Sequence, residues 1–365
     1  MTMTATCPYG RMTMTATCPY EQMAMPPMTL ISLISEQTLP NVLFLRAQPQ
    51  AVRQIFLSTE KMEAQGRSAW IRRAADLREV EVVTLPPEDL PAILARLEAV
   101  HIGPDEQLVL HLTGGTKMMA LGAYQHFTQC FPAQTEVFYV SLEKGHIQRV
   151  YPGPAVTPMS VRLSLETYLA AYGVTMTRRG EWNFLPWRQE AEATFRHAMG
   201  IALDARIEAK LARGTSLPNP ADRKFYTGEW LEVWAYHQVR EGLGLAEDQI
   251  QQGRHLTKEV PGGKTFTREY DLVFIRNNHL FLLEVKAWLG KEGFTVKKAN
   301  PDLYKLAQAR RELGLYARGH FWSIKAPRPA GWEVISPNLD LLGIRFAGPD
   351  LLADPGRLHA YLQSF

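Results

Sequence analysis

The part of this sequence with the most evident chemistry is EYDLVFIRNNHLFLLEVK, residues 269–286. Two apolar runs flank Asn277-Asn278, and asparagine tolerates the positive φ angles of a two-residue hairpin turn. Such a turn pairs Arg276 with His279, and the antiparallel register then follows along both strands. The segment therefore predicts a β-hairpin in which the positions of the polar side chains are fixed.

Three charged side chains are expected to converge at the open end of this hairpin. In the predicted register Asp271 lies opposite Glu284, and Lys286 emerges on the same face because side chains alternate along a strand. Facing carboxylates destabilise a sheet unless a cation separates them, and their hard oxygens suit Mg²⁺ or Mn²⁺. The lysine can orient or deprotonate a water, or neutralise charge on a phosphorus centre. The pattern predicts metal-dependent phosphodiester hydrolysis; the alternative is an exposed hairpin end with accidental charges.

A helix predicted at 222–241 carries the sequence GEWLE and offers a further carboxylate. Glu232, four residues after Gly228, is the glutamate that we expect to turn toward the hairpin. Glu229 is expected to be solvated, and the tryptophans at helical spacing are expected to be core.

A second constellation is HLTGGTK, residues 111–117, where a predicted strand ends and a predicted helix begins. Two glycines let the backbone turn with positive φ and approach a ligand closely. The helix N-terminus offers free N–H groups and a positive dipole end. The loop predicts a polyanion or nucleotide site, and it is neither a GxGxxG nor a Walker sequence, which argues against a dinucleotide cofactor or an NTPase. The alternative is a Gly-Gly turn with a threonine cap and a solvated lysine.

Two further polar loops, residues 35–38 and 58–59, also follow predicted strands. In a parallel α/β sheet, ligands bind beyond the carboxyl ends of the strands, so the three loops are expected to form one site. Their short hydroxyl and amide groups suit phosphates, ribose and base edges. The candidate ligand-binding residues are Ser35, Gln37, Ser58, Thr59, Thr113, Gly114, Gly115, Thr116 and Lys117.

Alternating strands and helices must position both constellations. Up to residue 151, strands are predicted at 30–35, 51–57, 80–85, 107–112, 135–142 and 146–151, and helices at 41–47, 60–77, 90–100 and 117–130. Apolar strands between helices indicate a parallel sheet covered on both faces, which is a Rossmann-like fold. The second half is predicted to be another α/β unit, with helices at 164–173, 187–213, 222–241 and 302–314 and strands at 270–276, 279–286 and 320–325.

The chain divides into four predicted regions. Residues 1–27 repeat MTMTATCPY and lack apolar periodicity, so we expect a disordered leader or a start-site artefact. Residues 28–152 are the predicted ligand-sensing domain, and 221–365 are the predicted catalytic domain. Between them, 153–220 are expected to be a connector that opens on a Pro/Gly-rich break.

Composition excludes several classes of protein. Apolar residues make up 46% and charged residues 21% of the 365, as in ordinary globular proteins. No run approaches the ~18 apolar residues of a membrane span. Three cysteines without a CxxC pattern argue against a disulfide framework or a structural zinc site and favour a cytoplasmic protein. The net charge is only +3, but the basic excess lies in the second half, which indicates an anionic partner.

The hairpin and the helix before it resemble a known catalytic pattern. Asp271, Glu284 and Lys286 read D-x12-E-x-K. Gly228 and Glu232 precede them as G-x3-E. This order resembles the PD-(D/E)xK nuclease superfamily.

The polar loops of the first half resemble a second family. LTGGTKMM at 112–119, with SEQT at 35–38 and STEKME at 58–63 before it, resembles the CRISPR-associated Rossmann fold (CARF) domain. The two patterns in tandem resemble the CARF–nuclease effectors of type III CRISPR systems, and the similarity covers nearly all of the chain after Met28.

The resemblance implies an α/β chain in which a CARF domain precedes a restriction-endonuclease-like domain. Its implied function is antiviral defence by an endonuclease that a cyclic oligoadenylate activates. Two CARF domains of that family pair around one ring, usually cyclic tetra-adenylate, so a homodimer is implied. The implied substrate is DNA, with single-stranded RNA left open and no membrane involved.

The resemblance also assigns roles to residues. The ring would contact Gln37, Thr59 and the loop from Thr113 to Lys117. The metal, Mn²⁺ or Mg²⁺, would be held by Glu232, Asp271 and Glu284, and Lys286 would assist the attacking water.

Three other functions are less favoured. A ligand-responsive regulator would need a helix-turn-helix, and the second half offers the carboxylate hairpin instead. A ring nuclease that cuts its own messenger would need an acid and a base at the ligand edge, where His111 and Lys117 are the candidates. An ATP-dependent enzyme is disfavoured because the chain has no Walker pair.

Overall fold

The computed structural model describes residues 26–178, 180, 183–260, 262–289 and 293–365. The predicted leader, residues 1–27, therefore lies almost entirely outside the described residues. Among these residues no helix is long and apolar enough to cross a membrane.

The first half forms a seven-stranded sheet with the order β3-β2-β1-β4-β5-β6-β7. The first five strands in this order run parallel, and β6 and β7 complete the sheet antiparallel. The strands are β1 Met28–Leu33, β2 Arg53–Ser58, β3 Glu81–Thr84, β4 Gln107–His111, β5 Thr135–Ser141, β6 His146–Tyr151 and β7 Ala155–Pro158. The helices are α1 Leu39–Ala47, α2 Glu60–Ala64, α3 Arg67–Ala75, α4 Leu90–Glu98 and α5 Lys117–Cys130.

This architecture confirms the predicted Rossmann-like domain. The central strands β1, β2 and β4 are buried, and separate apolar clusters cover the two faces of the sheet. Two details of the prediction are wrong. The helix expected at 60–77 is divided by Gly66, whose φ of 75° ends α2 before α3 begins. The Pro/Gly-rich break expected at the start of the connector contains β7, an exposed edge strand.

The second half forms a six-stranded sheet with the order β13-β12-β11-β10-β9-β8. Strands β8, β9, β10 and β11 pair antiparallel in chain order. Strand β12 pairs parallel with β11, and β13 pairs parallel with β12. The strands are β8 Val174–Arg178, β9 Ile250–Val260, β10 Lys264–Arg276, β11 His279–Lys286, β12 Ala317–Ser323 and β13 Ile344–Ala347. The helices are α6 Leu165–Ala170, α7 Arg188–Ala198, α8 Ala205–Arg213, α9 Pro220–Lys224, α10 Trp230–Leu243, α11 Val296–Glu312, α12 Pro329–Leu342, α13 Pro349–Leu352 and α14 Pro355–Gln363.

Helices cover both faces of the second sheet. The core beneath α11 contains Val273 and Leu282, whereas the core beneath α10 contains Leu272 and Leu283. The single helix expected at 187–213 is wrong, because the Asp204 side chain caps α8 as a separate helix. The helix expected at 222–241 is interrupted by a π-helical turn at Phe225–Glu229.

The two halves contact each other directly. The Arg73 guanidinium forms an ion pair with the Glu259 carboxylate at 2.9 and 3.0 Å. The Tyr168 hydroxyl donates to the Leu313 carbonyl at 2.9 Å, and one apolar cluster includes residues of both sheets. The region 153–220 contributes β7 to the first sheet and β8 to the second, and the predicted domain boundaries remain predictions.

Candidate functional site

The hairpin of β10 and β11 has the predicted register. Paired residues run from Arg276–His279 to Leu272–Leu283, which confirms the prediction for these pairs. Asn277 and Asn278 take φ angles of 50° and 63°, the left-handed values that the turn requires.

The next step of this register brings the two carboxylates together. Asp271 is buried, and its Oδ2 accepts a hydrogen bond from the backbone N–H of Val285 at 2.8 Å. Glu284, the residue before Val285, is 0% exposed. The Lys286 ammonium reaches both, 3.5 Å from Asp271 Oδ2 and 3.2 Å from Glu284 Oε2. The structure therefore brings together three of the four predicted catalytic residues.

The electrostatics of this group follow from its burial. Burial and the nearby Asp271 carboxylate raise the pKa of Glu284, and the two neighbouring lysines, Lys286 and Lys305, oppose that rise. Burial opposes the charge of Lys286, but Asp271, Glu284 and Asp302 outweigh that effect and raise the pKa of the lysine. The carboxylates thus favour a cation between them, and Lys286 supplies one.

Helix α11 adds two charged side chains that the sequence reasoning did not place in the site. Lys305 Nζ lies 2.5 Å from Glu284 Oε1, and Asp302 lies 3.7 Å from Lys286 Nζ. Asp302 and Lys305 are three residues apart and so share a face of the helix, beside the buried Leu303 and Leu306. The three-residue spacing of Asp302 and Lys305 was the available signal in the sequence. It does not indicate which strand this face of α11 packs against.

Glu232 is the fourth predicted catalytic residue. It lies in the first turn of α10 and is buried, on the helix that packs against the other face of the sheet. In the described part of the chain, no three His, Cys, Asp or Glu side chains come together as a metal site. The role of Glu232 as a metal ligand stays a prediction.

The remaining pair still fits a divalent cation in chemical terms. Asp271 and Glu284 are hard oxygen donors in a buried site, which is the ligand type that Mg²⁺ and Mn²⁺ prefer. Proteins commonly bind Mg²⁺ through one or two carboxylates plus waters and substrate phosphates.

A cleft of about 1400 Å³ lies at the carboxyl edge of the first sheet. It exceeds the roughly 300–1,000 Å³ of a typical small-molecule pocket. Its lining includes five of the nine predicted ligand-binding residues, together with charged side chains that were not predicted, such as Lys61 and Arg96. The five are Ser35, Gln37, Thr59, Gly115 and Thr116.

The other four predicted residues lie within two positions of lining residues in the chain but do not line the cleft. Ser58 is buried and donates to the Glu63 carboxylate, and Thr113 Oγ1 accepts from the Val140 N–H at 2.7 Å. Gly114 is buried, and Lys117 is exposed at the first position of α5. Their ligand-binding role stays a prediction.

The N-terminus of α5 lies at the cleft, as the sequence predicted. Thr116 caps α5 by accepting from the Met119 N–H at 3.2 Å, and Gly115 takes a φ of 75°. The cap leaves other N–H groups of the first turn available to an anion, at the positive end of the helix dipole.

The two halves also match two known families. Residues 29–168 match the Card1 CARF domain, and residues 220–363 match the Card1-like endonuclease domain. The chain belongs to the Card1-like CARF nucleases. Its first sheet is thus the CARF domain and its second sheet the core of the endonuclease domain.

Two solved structures share the fold of this CARF nuclease. One is the protein VC1899 from Vibrio cholerae, with 18% identity, a TM-score of 0.72, and coverage of 93% of this chain and 98% of that chain. The other is Can2 from Sulfobacillus thermosulfidooxidans in complex with cyclic tetra-adenylate, with 20% identity, a TM-score of 0.67, and coverage of 92% and 98%. Comparison with curated proteins gave no match.

Gln37 connects the CARF cleft to the endonuclease domain. Its side chain lines the cleft, and its Oε1 accepts from the Leu315 N–H at 3.0 Å and from the Tyr172 hydroxyl at 3.4 Å. Leu315 follows the end of α11, the helix that carries Lys305.

His111 is unsuited to acid–base chemistry on a bound messenger. It is fully buried, stacks on Phe44 at 4.4 Å between ring centroids, and burial lowers its pKa to about 3. The suggestion that His111 serves as an acid or base at the ligand edge is therefore wrong.

The CARF loop should depend on the absence of a side chain at Gly114. A Cβ atom there would lie 2.1 Å from the Leu33 carbonyl oxygen at the end of β1. We expect Gly114→Ala to destabilise the protein by about 1–3 kcal/mol, as overpacking does, and to weaken messenger binding. Thermal melts and a binding titration measure both effects. The control is Gly153→Ala, whose Cβ would meet no atom within 4 Å; equal melting of the two variants would contradict the close approach.

Proposed function

We propose that this CARF nuclease is a metal-dependent endonuclease that cyclic tetra-adenylate activates in type III CRISPR antiviral defence. The observation that carries the proposal is the convergence of Asp271, Glu284 and Lys286 on a Card1-like endonuclease domain. The cleft of a Card1-type CARF domain in the same chain supports the activation.

The site residues have different proposed roles in the hydrolysis. Asp271 and Glu284 would hold Mn²⁺ or Mg²⁺, and the ion would activate water and stabilise charge on the phosphate. Lys286 lies within reach of both carboxylates and would orient the attacking water or neutralise the phosphate oxygens. Glu232 is proposed as a helper ligand from the α10 side.

The activator and partners follow from the CARF cleft. Can2, which shares the fold, was solved with cyclic tetra-adenylate bound. We propose that two copies of this chain form a homodimer around one such ring, in the cytoplasm. The substrate is proposed to be DNA, with single-stranded RNA as the second candidate, because the basic excess of the second half suits a phosphate backbone.

The decisive test is nicking of a supercoiled plasmid with and without Mn²⁺ and cyclic tetra-adenylate. We expect cleavage only when both are present, and we expect Asp271→Asn to abolish it because one carboxylate donor of the pair is lost. A labelled single-stranded RNA, assayed in parallel, decides the substrate. Cleavage by Asp271→Asn at the wild-type rate would show that the active site lies elsewhere.

Melting in metal-free buffer should separate the two carboxylates. Asp271→Asn keeps an oxygen for the Val285 N–H and relieves repulsion with Glu284, so Tm should be unchanged or higher. Glu284→Gln leaves two lysines beside a neutral amide. Breaking a buried ion pair costs roughly 3 kcal/mol, so Tm should fall by about 6–12 °C. Equal melting of both variants would contradict this charge balance.

Lys117→Ala should weaken binding of cyclic tetra-adenylate while the endonuclease domain stays folded. The lysine stands at the positive end of α5, where its charge adds to that of the helix N-terminus. We expect a loss of affinity of about tenfold or more, measured by calorimetry. The matched control is Lys144→Ala, an exposed lysine in the turn between β5 and β6. Equal affinity of the two variants would exclude Lys117 from the messenger site.

A further inference from the structure

Lys305 is the second lysine of the endonuclease site. Its ammonium lies 2.5 Å from Glu284 Oε1 and donates to the Glu269 carbonyl at 3.0 Å. It also lies 3.9 Å from Asp302 Oδ1 and 5.3 Å from the centre of the Tyr270 ring. These four contacts hold the ammonium at one place on the edge of the site.

The two lysines divide the oxygens of Glu284 between them. Lys286 faces Oε2 at 3.2 Å, and Lys305 faces Oε1 at 2.5 Å. Lys286 also contacts Asp271 and Asp302, whereas the shortest contact of Lys305 is with Glu284. An ion that bound Oε1 would therefore have to displace the Lys305 ammonium, whereas Oε2 and Asp271 Oδ2 both face the Lys286 ammonium.

We propose that Lys305 is a positioning residue of the nuclease reaction. It holds Oε1 of Glu284, so that the carboxylate presents Oε2, together with Asp271, to a divalent cation. Lys305 acts through Glu284 and need not touch the nucleic acid. This role rests on the proposed function, since it assigns Glu284 to the metal site.

Lys286 is shared between the two buried carboxylates, and Lys305 is the second cation beside Glu284. The two lysines thus compensate the metal-free carboxylate pair. A second ammonium beside a metal site raises the free energy of the bound ion by like-charge repulsion. A lysine with that cost is consistent with a role in orienting the ligand.

The test compares full-length Lys305→Met, Lys305→Arg and Lys297→Met with the wild type. Lys297 is exposed on the same helix, outside the site, and controls for the loss of a lysine from α11. Calorimetry measures Mn²⁺ affinity without nucleic acid, and messenger-activated cleavage gives kcat and KM. We expect Lys305→Met to bind Mn²⁺ at least about tenfold more tightly, or about 1.4 kcal/mol, because a positive charge beside the ion is lost.

Turnover should change in the opposite direction. With Glu284 no longer held, kcat of Lys305→Met should fall about tenfold or more, while KM changes less than about twofold. Lys305→Arg keeps the charge and should retain Mn²⁺ affinity near the wild-type value, and Lys297→Met should match the wild type in Mn²⁺ affinity and Tm. If Lys305→Met is insoluble, Lys305→Gln should show the same tighter Mn²⁺ binding.

Two results would overturn the role of Lys305. One is wild-type Mn²⁺ affinity and kcat in Lys305→Met. The other is an equal fall of Tm in chelator and in Mn²⁺ with unchanged Mn²⁺ affinity, which a purely structural lysine would give. Both leave the proposed function intact if Asp271→Asn still abolishes cleavage. A wild-type chain that neither binds Mn²⁺ nor cleaves would refute the proposed function and this role together.

Discussion

Two buried carboxylates on one hairpin are the constraint around which the endonuclease domain is arranged. Asp271 and Glu284 lie where apolar strands would otherwise pair, and each costs free energy in that place unless a cation compensates it. Lys286 meets that need from the same strand and Lys305 meets it from α11. The alternation of side chains along the strands, the position of α11 and the burial of the site together determine this charge balance.

The hairpin could be predicted from sequence because its geometry is local. An Asn-Asn turn sets the register, and the register alone brings Asp271 toward Glu284. Lys305 could not be placed in the same way, because its contact depends on how α11 crosses the sheet. Glu232 is limited in the same way: its spacing from Gly228 fits a known pattern, but the packing of α10 against the sheet decides where its carboxylate lies.

The CARF domain shows which residues of a binding loop can be predicted from the sequence. Gly115 and Thr116 were identified by their conformational and capping chemistry, and both line the cleft. Thr113 has the same side-chain type as Thr116, yet its hydroxyl faces β5 and bonds to the Val140 N–H. Residue type predicts that a hydroxyl will find a partner, but only the tertiary fold decides between a ligand and a neighbouring strand.

The described contacts also join the two sites physically. Gln37 lines the CARF cleft and accepts a hydrogen bond from Leu315, while Tyr168 donates to Leu313. Both contacts hold the C-terminal end of α11, a helix of 17 residues. About seven residues before that end, the same helix carries Lys305 against Glu284. The contacts of Gln37 with Leu315 and of Lys305 with Glu284 thus connect the CARF cleft to the endonuclease site through a single helix.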